Sequence, residues 1–206
     1  MEDNLRNQLD EHFEGVAQLR NFYIKLDIEI SKISNKYNFH CKNGCGACCM
    51  GNAINKEATV FELLPLAIEL EISGKSNKYL EILENEDCPK NVCVCVVFVD
   101  NQKGLGHCGE YKYRPLVCRL FGDSMYHEKN NVVDFIGCHW LKELYENSLN
   151  KKQLHDLLPK MSETVFEGRC FSDNSYDTVI DINSALKTAL ELVKMKHDLI
   201  DGKLEF

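Results

Sequence analysis

The chain has 206 residues, 44% of them hydrophobic and 27% charged, with eleven cysteines and a formal net charge of −8. That length and apolar content are enough to bury a core without covalent staples. The acidic balance repels phosphate backbones and anionic lipid heads, so neither nucleic acid nor a membrane is an expected partner. The first residues, MEDNLRNQLDEHFEG, lack the basic start and apolar run of a signal peptide. The longest apolar run, CVCVVFV at 93–99, falls far short of the ~20 residues that span a bilayer as a helix. A cytoplasmic location is the expectation.

Leu5, Leu9, His12, Val16, Leu19, Tyr23, Leu26, Ile30, Ile33 and Tyr37 recur at steps of three and four, which predicts one long N-terminal helix over 1–38 with a coiled-coil-like seam. Its stripe reads as a core face, with a dimer through this helix as the alternative. Residues 56–70 have helical spacing with Pro65 as an expected kink or break, and 76–84 fit a further short helix. The β-branched and aromatic segment 93–100 predicts a buried strand, a turn at Asn101, Gly104 and Gly106, and an antiparallel partner at 132–136. Residues 139–158 return to helical spacing. A last helix lies within 177–204, with Gly202 as its stop, and is expected to pack on the first. The expected fold is a single domain, mainly α with a small β-hairpin: a cysteine-rich metal-binding core over 39–140, flanked by the N-terminal helix and a C-terminal helical region over 141–206.

All eleven cysteines lie between Cys41 and Cys170. In a reducing cytoplasm an odd number of thiols is a poor disulfide framework, so metal or redox chemistry is expected. In FHCKNGCGACCMGN, residues 39–52, Cys41, Cys45, Cys48 and Cys49 fall within nine positions. The Cys45-Gly46-Ala47-Cys48 spacing wraps a soft metal through a tight turn, and Gly44 and Gly46 supply the permissive backbone. A redox dithiol shares that spacing, but the surrounding thiols raise the specificity. Cys48 and Cys49 are adjacent, and adjacent side chains diverge unless the turn is tight, which suggests two metals or one polynuclear cluster. Cys88, Cys93, Cys95, Cys108, Cys118, Cys138 and Cys170 are enough for a second four-sulfur set.

Four thiolates around a dication leave a net charge of −2 for nearby cations or amides to offset. Arg119 follows Cys118, and Arg114 lies four before it. Both are candidates to donate to sulfur or to brace the loop, with ordinary salt bridges as the alternative. His40, His107 and His139 flank cysteines but read as non-ligands, since thiols are plentiful. Asp123, Glu110 and Asp134 are weak signals among 32 acidic residues, and Met50 and Met125 read as packing residues. No phosphate loop, HExxH, GxSxG or dinucleotide GxGxxG is present.

CKNGCGACC, CVVFVD, the run from Cys108 through Tyr111, Arg114, Pro115, Cys118 and Arg119, and GCHW at 137–140 together resemble the CxxCxxCC family of zinc- or iron-chelating proteins, also called YkgJ-like cysteine-cluster proteins. The resemblance spans about residues 39–140. It implies an eight-cysteine metal site at Cys41, Cys45, Cys48, Cys49, Cys95, Cys108, Cys118 and Cys138, with Arg114 and Arg119 as cofactor-binding residues and Cys88, Cys93 and Cys170 as extras. Cys41 is separated from Cys45 by three residues where the family name has two, and Cys95 lies one residue further from Phe98 than the usual pattern. Cys93 is therefore the alternative to Cys95. Eight thiolates with almost no histidine, two of them adjacent, favour an iron–sulfur cluster of the 4Fe–4S type over zinc, and with it an electron-transfer or redox role and a redox or protein partner. The alternatives are a structural zinc protein acting as an interaction module, and an enzyme related to flagellin lysine methylases, which share a cysteine-rich core.

Overall fold

A computed structural model describes residues 2–40, 45–50, 56–100, 105–127 and 133–203. The N-terminal flank folds as two helices where one was expected: α1 spans Glu2–Glu11 and α2 spans Val16–Tyr37. Gly15 breaks the run at φ +82°, and a Cβ there would lie 1.8 Å from the Phe171 carbonyl oxygen. Only glycine accepts that backbone and lets the 171 segment come so close. The apolar stripe continues across the break, because Leu9, Val16, Leu19, Tyr23 and Leu26 are all buried in the chain's own core. Asn38, at φ +57°, ends α2 by returning its amide to the Ser34 carbonyl.

The centre of the fold is α3, Val60–Ile72, entered from β1, Glu57–Thr59. Thr59 accepts a hydrogen bond from the Glu62 amide while the Glu62 side chain accepts from the Thr59 amide, a reciprocal cap that fixes the helix start. Pro65 lies inside α3, and the helix runs on past it to Ile72. Apolar almost all round, α3 is covered on several sides, as such a helix must be. Its most extensive partner is α9, Ile182–Ile200, with α1 and α2 on other faces and α4, Ser76–Glu84, packed on α9. Leu63, Leu64 and Ile68 of α3 and Leu186, Leu190 and Val193 of α9 belong to one core. Each such side chain contributes about 1.5–3 kcal/mol by burial, so this helix pair is the main anchor of the molecule. Asp181 caps α9 by accepting from the Asn183 and Ser184 amides. β6, Val179–Asp181, pairs antiparallel with β1, so α3 and α9 leave this strand pair from its opposite ends.

Two further hairpins lie between them. β2, Val96–Asp100, pairs with β3, Leu105–Cys108, and β4, Ser124–His127, pairs with β5, Val133–Ile136. The expected pairing of 132–136 with 93–100 is thus corrected: each strand takes the neighbour nearest in sequence, which closes the smaller loop. The burial expected of 93–100 also holds only for its start. Cys93 and Cys95 are buried, whereas Val97, Phe98 and Val99 are 46%, 43% and 67% exposed, since a two-stranded ribbon covers only part of their surface. The helices α5, Leu116–Leu120, α6, His139–Ser148, α7, Lys151–Leu157, and α8, Met161–Arg169, complete the chain. Where one helical stretch was expected over 139–158, Asn150 starts a new helix through a reciprocal cap with Gln153. Phe39, Phe135, Leu141, Tyr145, Leu154 and Leu158 form a second, smaller core. The fold is mainly α with small antiparallel strand pairs. Among the described residues no helix is long and apolar enough to cross a membrane.

Candidate metal centre

A cavity of about 640 Å³ opens between the two cores, walled by Leu63 and Leu66 of α3, Leu186 of α9, and Phe39 and Leu141 of the smaller core. Cysteines reach it from five stretches of the chain. Cys45, Cys48 and Cys49 come from the glycine turn, Cys93 and Cys95 from the approach to β2, Cys108 and Cys118 from the end of β3 and from α5, and Cys138 from the residue that precedes α6. Seven of the eight cysteines implied by the resemblance are therefore brought together, joined by Cys93. Cys41 lies outside the described residues. Cys88 lies away, in a separate hollow beside Leu83 and Asp181, and Cys170 is exposed at the end of α8. His40, His107, Glu110 and Asp123 line the same cavity.

Local backbone chemistry explains how the thiols arrive. The Gly46 carbonyl accepts from the Cys49 and Met50 amides at 2.8 and 3.0 Å, which closes the turn. A Cβ on Gly46 would lie 2.9 Å from the Gly106 carbonyl carbon, so glycine is what lets β3 lie against this turn. The Cys93 amide donates to the Cys49 carbonyl at 2.9 Å and the Gly109 amide to the Cys95 carbonyl at 2.8 Å, lacing the three cysteine segments together. From α9, Asn183 clamps the Cys93 segment from both sides: it donates to the Val92 carbonyl at 2.8 Å and accepts from the Val94 amide at 3.1 Å.

Two thiol pairs dominate the electrostatics. The Cys49 thiol bonds to Cys48, their Sγ atoms 3.8 Å apart, and this lowers the Cys48 pKa to about 6 while raising that of Cys49. Cys93 is lowered to about 7 by a bond from Cys95, which is raised in turn. Burial pushes Cys108 up to about 11 and Cys118 up to about 12. Each pair thus presents one ready thiolate, the form that binds metal.

Arg119 is 2% exposed and lies 4.3 Å from the centre of the Tyr23 ring. It donates to the Asp27 carboxylate and to the carbonyls of Lys112 and Arg114. Arg114 stacks 3.4 Å over Tyr111 and donates to the Tyr111 carbonyl at 2.9 Å and the Cys118 carbonyl at 3.3 Å. These bonds run to oxygen and brace α5, which carries Cys118, and the turn that leads into it. The cation with no such engagement is Lys56, which also lines the cavity and whose Nζ is buried without a hydrogen-bond partner among the described residues. Neither Lys56 nor Asn183 stands out in the sequence, because nothing local marks them as facing thiols.

The donor set fits a soft metal: many thiols, two of them inclined to ionise, with a buried cation beside them. Among the described residues no three Cys, His, Asp or Glu groups stand together closely enough to hold an ion as placed. The sulfurs are gathered into one cavity rather than closed on one point.

The family model "CxxCxxCC: Putative zinc- or iron-chelating domain" matches residues 40–139. Neither a curated protein nor a solved structure matches the chain significantly. The matched stretch begins just before the glycine turn and ends just after Cys138, so it contains every thiol that lines the cavity.

Proposed function

With residues 40–139 assigned to a CxxCxxCC domain, we propose that this chain binds an iron–sulfur cluster in the cavity between its two cores and serves in electron transfer, with a redox protein as its counterpart. The observation that carries this is the convergence of eight cysteines on a single cavity of about 640 Å³. One water needs only about 10–15 Å³ of such space, so the cavity has room for more than a lone ion. The tight turn at 46–50 adds a second support, since it aims both Cys48 and Cys49 at the same place.

Such a cluster supplies one-electron chemistry at a potential set by the charge and hydrogen bonds around its sulfurs. The chain contributes the thiolates, the backbone turns that hold them, and apolar walls that limit water. The described cysteines are free thiols, which suits a reducing compartment.

The test is anaerobic purification with analysis of iron, zinc and acid-labile sulfide, and a visible spectrum of the same sample. Iron with matching sulfide and broad visible absorption supports the cluster, and Cys48→Ser should then bleach it while Cys170→Ser leaves it intact. Zinc alone in a colourless sample overturns the cluster and leaves a zinc-chelating domain.

A further inference from the structure

Lys56 stands just before β1, its carbonyl pinned by the Ile182 amide at 2.9 Å, and is 7% exposed. The side chain lines the cysteine cavity, and its Nζ has no hydrogen-bond partner among the described residues. The Phe121 ring, its centroid 5.7 Å from the ammonium, offers no more than a weak cation–π contact. A buried ammonium without a partner is costly enough that proteins provide an anion for it.

The carboxylates on the cavity wall are engaged elsewhere. Asp27 takes Arg119, Glu110 takes Lys75 and Tyr79, and Asp123 takes Tyr145. Among the described residues that line the cavity, the remaining source of negative charge is sulfur. Lys56 lines the same cavity as eight cysteines, which come from separate segments of the chain. A dication with four thiolates, or a cluster core of the same charge, carries a net −2, and a centre of that charge is what an unpaired buried cation requires.

We infer that Lys56 is the counter-ion of the metal–thiolate centre, a positioning residue whose ammonium offsets the charge that the thiolates gather when metal binds. This inference rests on the metal-binding reading, whether the metal is iron or zinc. It separates two roles among the cations of the site. Arg114 and Arg119 give their donors to carbonyls and to Asp27, whereas the Lys56 head group is unbonded among the described residues.

The test compares wild type, Lys56→Met and Lys56→Arg as purified metal-loaded proteins, challenged with a chelator. Outer-shell partners typically set 10–100-fold in metal affinity, so Lys56→Met is expected to lose metal at least about tenfold more readily and Lys56→Arg to recover most of that loss. Stripped of metal and held near pH 5, where the thiols keep their protons, Lys56→Met is expected to resist urea as well as wild type or better, since it no longer buries an unpaired charge. A purely structural lysine would instead lower stability and metal retention together, and that result overturns the inference. Equal retention in wild type and Lys56→Met overturns it too, as does Lys56→Arg behaving like Lys56→Met. A wild-type protein that purifies without metal and takes up neither iron nor zinc fails earlier and overturns the metal reading itself.

Discussion

Cys48 and Cys49 are neighbours in the chain, yet their Sγ atoms stand 3.8 Å apart. Adjacent side chains diverge on a regular backbone. Here the Gly46 carbonyl draws in the amides of Cys49 and Met50 and folds both sulfurs to one side. The pair shares its protons unequally, Cys48 falling to about 6 and Cys49 rising. In metal-stripped protein, iodoacetamide is therefore expected to label Cys48 before Cys49 at pH 7.5, with a half-point near pH 6. Cys49→Ala removes the donor and should move that half-point up toward the ordinary thiol range of about 8.5. Peptide mass spectrometry across a pH series reads both values, and equal labelling of the two thiols at all pH values would refute the pairing.

Arg119→Ala is expected to cost about 2–4 kcal/mol in urea denaturation, because two carbonyls and Asp27 lose a buried guanidinium. Lysine cannot reproduce a planar fork with several donors, so Arg119→Lys should recover less than half of the loss. Metal retention is expected to fall in step with stability, since the same bonds hold α5, which bears Cys118. If Arg119→Ala lost metal at unchanged stability, the guanidinium would be acting on the centre and not on α5.

The contrast between these residues shows how far the sequence could be read. The short-range features were legible: the 45–48 spacing, the helix over 76–84, and the concentration of thiols in the middle of the chain. Gly15 was hidden because a stripe with a 3.6-residue period survives a break of four residues, and the reason for the break, the Phe171 carbonyl, lies in the distant C-terminal part. Strand partners were misassigned because β-propensity marks a strand without naming its neighbour. Cys93 and Cys95 both reach the cavity through a turn in which the Val96 amide bonds the Cys93 carbonyl. Strict strand alternation over that stretch says nothing about such a turn.

Asn183 illustrates the long-range part, for its partners Val92 and Val94 lie about ninety residues away. Asn183→Ala leaves a carbonyl and an amide of the cysteine segment without their bonds, at about 1–3 kcal/mol. The segment that carries Cys93 and Cys95 then loses its tie to α9. The expected outcome is lower stability together with faster metal loss to a chelator, and hydrogen exchange should show the Val94 amide losing protection first. Protection unchanged at Val94 would mean that the clamp does not hold this segment.

Asp123 shares the cavity with the thiols and accepts from the Tyr145 hydroxyl at 3.2 Å, while burial pushes its carboxyl up to about 6. In the unfolded chain the same group titrates near 3.9. Between those values the folded protein binds the extra proton, so this residue's contribution to stability is full below about pH 4 and is lost as pH rises through about 6. Asp123→Asn removes the titration and keeps an acceptor for Tyr145. The stability of Asp123→Asn relative to wild type is therefore expected to grow from pH 4 to pH 7. A shift of about two pH units at 1.36 kcal/mol each sets a ceiling of about 3 kcal/mol, which partial exposure of the residue lowers. Denaturation midpoints of both proteins at each pH give the difference directly, with metal loss at acid pH common to both. A difference that stayed flat across this range would mean a well-hydrated carboxylate on the cavity wall, and the space beside the thiols would then be wet rather than screened by the two cores.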